Sequence, residues 1–315
     1  MIKSQSGFFT VQTAAHEALV SQVRGRLLQE RLNTDPVAIG DRVLVSLQPV
    51  YENDTVTYTG LIEEVEPRER WFARQRPAPE GRRSSRLPDR EQVIIANPDQ
   101  VLFVFAVTQP DPRFRMLDRF LVIAEHARIP IRIVANKVDL IGLEAAQRLF
   151  AVYEKLGYPL HYTSGKENIG LDTLRGALIA KLSAFTGPSG VGKSSLLNAI
   201  QPGLGLAVQT ISEANLKGRH TTVAPELYPV EGGGYIADTP GIKAIGLYDI
   251  EPTELDGYFP DILAYFGQCR FADCRHEKEP GCAVRAAVEA GDLREERYDS
   301  YLRLRDEMEE IYYRC

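Results

Sequence analysis

Gly187-Pro-Ser-Gly-Val-Gly-Lys193-Ser194 carries glycines, a lysine and a hydroxyl at the spacing of a phosphate-binding loop. In that pattern Gly187, Pro188, Ser189, Gly190, Val191 and Gly192 turn successive backbone N–H groups toward phosphate oxygens. The N-terminus of a following helix adds partial positive charge. Lys193 is expected to bridge the outer phosphates. The Ser194 hydroxyl, with Ser195 beside it, is expected to meet a magnesium ion. Earlier in the chain stands Asn136-Lys137-Val138-Asp139. An aspartate there can accept from guanine N1–H and the 2-amino group together. Adenine offers an acceptor at N1 and no 2-amino group, so Asp139 would lose both partners and adenine would be rejected. Asn136 would tie this loop to the phosphate loop, and the Lys137 stem would cover the base. Thr163-Ser164-Gly165-Lys166 sits where a second base-facing loop is expected to donate a backbone N–H to guanine O6.

Two further stretches complete the set. Asp238-Thr-Pro-Gly241 follows a strand-like run, where Asp238 can hold magnesium through water and the Gly241 N–H can reach a γ-phosphate. Between it and the phosphate loop lies the polar run Lys217–Thr222, where Thr222, or less favourably Thr221, could complete the magnesium shell. Residue 242 is isoleucine, where many GTPases carry the glutamine that orients water. His220 is the nearest replacement by motif; the plain alternative is a loop histidine touching RNA or solvent.

The base-reading motif precedes the phosphate loop, the reverse of the ordinary order. A GTPase sheet whose termini lie close together tolerates circular permutation. Joining the helix expected at Leu171–Ala180 to the strand at Leu182–Phe185 keeps each motif in place. The cut then falls after Gly241, so the C-terminal segment is attached to the loop that senses the γ-phosphate.

The elements that must position these residues are legible from periodicity. Residues 1–95 read as short alternating strands of a small antiparallel barrel, with "FFTVQT", "DRVLVSL", "TYTGLIEEVEP" and "EQVIIA" as members. The connection Arg68–Arg90 holds eight arginines against three acids, with Trp71 and Phe72 interleaved. It reads either as a solvated loop or as a nucleic-acid contact. Residues 96–248 alternate buried strands with amphipathic helices, the rhythm of a parallel α/β sheet. Residues 249–315 read as helical, ending in a one-sided helix that carries Tyr298, Tyr301, Leu302, Met308 and Ile311.

Within this last part, Cys269, Cys274, His276 and Cys282 fall inside fourteen residues. Three thiols and an imidazole are a tetrahedral zinc set, and four protein ligands make a structural site. Cys315 is expected to be a free thiol, and His16, His126 and His161 to serve packing or surface roles. The chain of 315 residues is 44% hydrophobic and 25% charged with a net charge of −6, which excludes a protein that coats nucleic acid over its whole surface. No apolar run approaches the about 18 residues a bilayer span needs. The first residues lack the apolar core of a signal peptide, so a cytosolic protein with reduced thiols is expected.

Taken together, "NKVD" before "GPSGVGKSS", then "GRHTT", "DTPG" and the late Cys/His cluster, the sequence resembles the circularly permuted GTPases of small-ribosomal-subunit biogenesis, the RsgA/YjeQ family. The resemblance runs nearly the full length. It implies a multidomain α/β protein: an OB-fold barrel that binds RNA, a permuted P-loop GTPase domain and a helical zinc-binding domain. It implies GTP hydrolysis stimulated by the small ribosomal subunit late in its maturation and coupled to release. It also implies contact with that subunit's rRNA and a catalytic role for His220. Nothing in the sequence itself demands more than a monomer. Two other readings remain. One is an RNA-binding assembly scaffold in which GTP is mainly a conformational ligand. The other is an ATP-dependent P-loop enzyme, which Asp139 disfavours.

Overall fold

A computed structural model describes residues 1–5, 7–30, 34–52, 55–75, 91–205, 226–238, 247 and 250–313. The N-terminal strands are β1 (Lys3–Gln5), β2 (Phe8–Gln12), β3 (Ala18–Val23), β4 (Val43–Glu52) and β5 (Thr55–Val65), with helix α1 (Gly25–Glu30) between β3 and β4. They form one five-stranded sheet in the order β1-β2-β3-β5-β4. Val11, Leu27, Val37 and Ile62 are buried together, with Val23, Val43 and Val45 packed against them. Residues from four strands and α1 thus wrap one small core. The expected all-antiparallel arrangement is corrected at one ladder, because β3 and β5 run parallel. Helix α1 and the long connection after it carry the chain to the far side of β5, which a hairpin could not do.

A second correction concerns the arginine-rich connection. Its first part is strand β6 (Trp71–Gln75), paired antiparallel with β7 (Glu91–Ala96). Phe72 is buried at 2% exposure rather than offered to a base. Arg68 donates through Nε and a terminal nitrogen to both carboxylate oxygens of buried Asp41, each at 2.8 Å. A bidentate, desolvated pair of this kind is structural, not a phosphate contact. Residues 76–90 lie outside the described residues.

The central sheet comprises β8 (Gln100–Ala106), β9 (Ile131–Asn136), β10 (Leu160–Thr163), β11 (Leu182–Thr186), β12 (Leu227–Pro229) and β13 (Tyr235–Asp238), in the order β10-β9-β8-β11-β13-β12. All its ladders are parallel except β12 with β13. Strand β8 is buried along its length, so its alternation sorts two cores. Val101, Phe103 and Phe105 face one side. There they meet helices α2 (Phe114–His126) and α3 (Leu143–Lys155). Leu102, Val104 and Ala106 face the other side. There they meet α4 (Leu171–Leu178) and α5 (Lys193–Ile200). The three residues 179–181 join α4 to β11, as the permuted order requires. Lys181 anchors that joint by donating to the Leu178 carbonyl and accepting from the Tyr235 N–H. At the far edge, the Leu227 N–H donates to the Ile2 carbonyl at 2.8 Å and Lys3 pairs with Glu226 at 3.1 Å. The N-terminal strand therefore borders the central sheet.

The C-terminal segment contains a 3-10 turn (Pro252–Tyr258), α6 (Pro260–Leu263), α7 (Ala283–Ala290) and α8 (Glu295–Tyr313). Leu255, Phe259 and Tyr301 join the same core as α2. Across that seam Arg297 of α8 donates to Asp118 of α2 at 2.6 Å and to Asp261 at 2.8 Å. Tyr153 donates to the same Asp118 oxygen at 2.8 Å. Asp118 and Arg297 are both buried. Removing one partner leaves the other charge uncompensated in the core. Arg297→Ala is therefore expected to destabilise the protein by about 3–5 kcal/mol, read from urea unfolding. A loss below about 1 kcal/mol, the worth of an exposed pair, would show that the seam does not depend on it.

Candidate nucleotide site and metal centre

The described residues expected to meet a nucleotide collect at the C-terminal ends of the parallel strands, where an open α/β sheet places ligands. The phosphate loop, residues 187–192, links β11 to α5. Two of its glycines are required by close approach. A Cβ on Gly187 would stand 2.0 Å from the Val104 carbonyl oxygen. One on Gly192, whose φ is +88°, would stand 2.8 Å from Asn136 Nδ2. Lys193 begins α5 and its Nζ donates to the Gly187 carbonyl at 3.0 Å, inside the loop it serves. Ser194 and Ser195 follow in the first turn of the helix.

Asn136 ends β9 and is 3% exposed. Its Nδ2 donates to the Val191 carbonyl of the phosphate loop at 2.9 Å. Its Oδ1 accepts from the Thr163 hydroxyl at 3.1 Å. One side chain thus binds the three loops that sequence reasoning assigned to one site. Lys137 takes a left-handed backbone, φ 67°, and its ammonium donates to the Gly190 carbonyl at 2.7 Å. Burial pulls its pKa down, with the Asp139 charge opposing. The ammonium also donates to the Gln109 carbonyl, and Pro110 packs beside Gly190. The Gln109–Pro110 turn escaped sequence reasoning: its prolines mark a turn, and nothing in them marks a nucleotide loop.

Asp139 lies in a 3-10 turn, Val138–Leu140, with its Oδ1 buried and without a partner among the described residues. A desolvated carboxylate oxygen of this kind is costly unless donors reach it. The paired N–H groups of guanine are such donors, so the residue present fits the base. Thr163 and Ser164 are buried, and Ser164 exchanges both backbone hydrogen bonds with Ile169. That brace presents the turn through Gly165 and Lys166. Gly165 also passes close to α5, since a Cβ there would stand 3.1 Å from the Leu196 Cα. Asp238 closes β13, whose register pairs it with Phe185 beside the phosphate loop. His220, Thr221, Thr222, Gly241, Ile242 and Cys315 lie outside the described residues.

The second cluster is assembled as expected. One ligand atom from each of Cys269, Cys274, His276 and Cys282 falls within 4.8 Å of the others. His276 Nδ1 lies 3.3 Å from Cys282 Sγ and 3.6 Å from Cys269 Sγ, and the two sulfurs are 4.0 Å apart. The Ala283 N–H donates to Cys269 and the Arg285 N–H to Cys282, each at 3.4 Å. Backbone donors of this kind stabilise thiolates. Burial lowers the His276 pKa, but bonds to Asp256 and Cys282 outweigh it and push it up to about 9. Burial pushes the Cys274 thiol up to about 12, with its neighbouring thiols adding to the rise. These four donors could hold a metal ion. Asp256, 3.2 Å from His276 Nε2, was missed because an acid twenty residues upstream carries no ligand spacing. Of the remaining histidines, His161 sits against Arg132 at the base of the sheet and His126 against Tyr258, both packing roles.

Comparison with known proteins agrees with this geometry. The RsgA GTPase family matches residues 65–248. The small ribosomal subunit biogenesis GTPase RsgA of Gemmatimonas aurantiaca is 45% identical over 308 residues, 98% of this chain and 96% of that protein. Its namesake in Bacteroides fragilis is 38% identical over 319 residues, 100% of this chain and 98% of that protein. The crystal structure of YjeQ from Thermotoga maritima superposes with a TM-score of 0.74 at 33% identity, covering 98% of this chain and 96% of that one. YloQ, described as a circularly permuted GTPase, superposes with a TM-score of 0.70 at 33% identity, covering 98% and 93%. With its Asn-Lys-Val-Asp loop stitched to a glycine-rich loop that follows it in sequence, and with relatives matched over nearly their full length, this chain belongs to the RsgA GTPase family.

Proposed function

We propose that this GTPase binds the small ribosomal subunit late in its maturation, that the subunit stimulates GTP hydrolysis, and that hydrolysis is coupled to release. The observation that carries the nucleotide half is the buried, unpartnered Asp139 oxygen held beside the phosphate loop through Asn136. The partner half comes from the relatives, which bear the name small ribosomal subunit biogenesis GTPase. A protein acting on that subunit works in the cytoplasm, here as a monomer. Ser194 and Thr222 would hold magnesium with the nucleotide, Asp238 would reach it through water, and His220 would orient the attacking water in place of a glutamine. The division into an OB-fold, RNA-contacting barrel (1–95), a GTPase domain (96–248) and a helical zinc domain (249–315) is part of the same proposal.

The ion in the Cys/His cluster would be zinc. Tetrahedral zinc with bonds near 2.3 Å sets its ligand atoms about 3.8 Å apart. The separations of 3.3, 3.6 and 4.0 Å among His276, Cys269 and Cys282 bracket that value, and all four ligand atoms lie within 4.8 Å of one another. Zinc there would supply no chemistry to hydrolysis; it would hold the C-terminal segment together.

Three outcomes are expected. Purified small subunits should raise GTP hydrolysis by about tenfold or more, with ATP hydrolysis unmoved. GTP binding without stimulation would favour the scaffold reading instead. Asp139→Asn should weaken GTP binding by about two powers of ten or more and improve binding of xanthosine triphosphate. The new amide can donate to the xanthine C2 oxygen, whereas the carboxylate could not. Unchanged GTP affinity would remove Asp139 from base reading. His220→Ala should lower stimulated turnover by about a hundredfold while leaving GTP and subunit binding in place. Unchanged turnover would remove His220 from the reaction.

A further inference from the structure

The residues around the metal centre do more than bring four donors together. His276 is 6% exposed and has a left-handed backbone, φ 64°, uncommon for a non-glycine residue. Its two ring nitrogens face different partners. Nδ1 faces the sulfurs of Cys282 and Cys269, at 3.3 and 3.6 Å. Nε2 faces Asp256 Oδ2 at 3.2 Å. Asp256 is itself fixed from the other side: its Oδ1 accepts from the Tyr301 hydroxyl at 3.1 Å. That hydroxyl in turn accepts from Arg305 at 2.8 Å. Tyr301 is fully buried and Arg305 is 5% exposed. Arg305 also donates to the Arg275 carbonyl at 3.1 Å, and the Tyr298 hydroxyl donates to the His276 carbonyl. Thus the sequence neighbour of His276, its own carbonyl and its ring are all held from one face of α8.

We propose that Asp256 is the positioning residue of the metal centre: it accepts a hydrogen bond from His276 Nε2–H, fixes the imidazole so that Nδ1 is the ligand atom, and is held in that pose by Tyr301 and Arg305. A neutral imidazole carries one N–H, and the nitrogen that bears it is set by its partner. A carboxylate beside Nε2 keeps the proton there and leaves the Nδ1 lone pair free for the ion. The carboxylate's charge also makes that lone pair a stronger donor, and such outer partners are worth about 10–100-fold in metal affinity. Asp256 sits in the 3-10 turn whose Leu255 is buried in the core shared with α2. The arrangement therefore ties the metal centre to α8 and to the body of the GTPase without any change to the four ligands. An ordinary buried ion pair predicts a different result: Asp256 would contribute to folding equally with and without metal.

The inference rests on zinc as the ion, and the test separates the two. In full-length protein loaded with zinc and labelled at histidine nitrogen, long-range proton–nitrogen correlation spectra should show His276 metallated at Nδ1 and protonated at Nε2. Metallation at Nε2, or loss of the Nε2 proton, would overturn the positioning role while leaving zinc in place. A wild-type protein that binds no zinc would overturn the zinc reading and the inference with it. In competition with a chromophoric chelator, Asp256→Ala should lose about 10–100-fold in zinc affinity. Asp256→Asn should lose less, because its carbonyl still accepts from Nε2–H, and Tyr301→Phe less again. Unchanged zinc affinity in a folded Asp256→Ala protein, with GTP affinity as the check on folding, would overturn the role. If that variant does not fold, the wild-type spectra decide the matter alone.

Discussion

The site depends on one buried amide. Asn136 gives its N–H to the Val191 carbonyl and takes the Thr163 hydroxyl on its oxygen, so three loops from β9, β10 and β11 become one surface. Both partners are desolvated, and a lost bond at such a position costs more than the bond itself contributes. In the permuted chain the Asn136–Asp139 loop and the Gly187–Gly192 loop lie on opposite sides of the α4–β11 connection, and the side chain of Asn136 joins them directly above the β8–β11 ladder. Gly192 is the other side of the same constraint: any side chain there would collide with the amide nitrogen that makes the joint. Lys137 repeats the stitch one residue on, by way of Gly190 and Gln109.

Around that joint the fold supplies rigid walls. Strand β8, wholly buried, divides the body into a core under α2 and α3 and another under α4 and α5. The permutation places the C-terminal segment after the Asp238–Gly241 stretch in sequence, and from Glu251 onward that segment returns to α2 rather than standing apart. Its contact is both apolar, through Leu255 and Phe259, and ionic, through Arg297 between Asp118 and Asp261. The Arg297 guanidinium also lies over the Phe259 ring at 4.5 Å, so the charge is stacked as well as paired. Helix α8 thus faces α2 with one set of side chains and the Cys/His cluster with another.

Much of this was readable from the sequence, for definable reasons. Phosphate binding forces glycine, lysine and serine into adjacent positions, so "GPSGVGKSS" was legible alone, and the Cys/His cluster was legible because ligands to one ion must be close. The parallel sheet declared itself through unbroken apolar runs such as Val101–Val107. What stayed hidden depended on partners distant in sequence. Strand β6 reads as part of a loop because arginines flank it, yet Arg68 is held by Asp41 and Phe72 is core. Asp118 looks like an ordinary polar position in an amphipathic helix until Arg297, far along the chain, covers it. The parallel β3–β5 pairing has no local signature, since strand direction is decided by the connection and not by the strand.

The most direct test of this account is the affinity of Asn136→Ala for a fluorescent GDP analogue, measured beside wild type in a protein whose unfolding transition is intact. If one buried amide makes the site, affinity should fall by about thirtyfold or more, the equivalent of about 2 kcal/mol for the bonds lost. An affinity within about twofold of wild type would mean that the three loops hold their places without Asn136, and the central claim would be wrong.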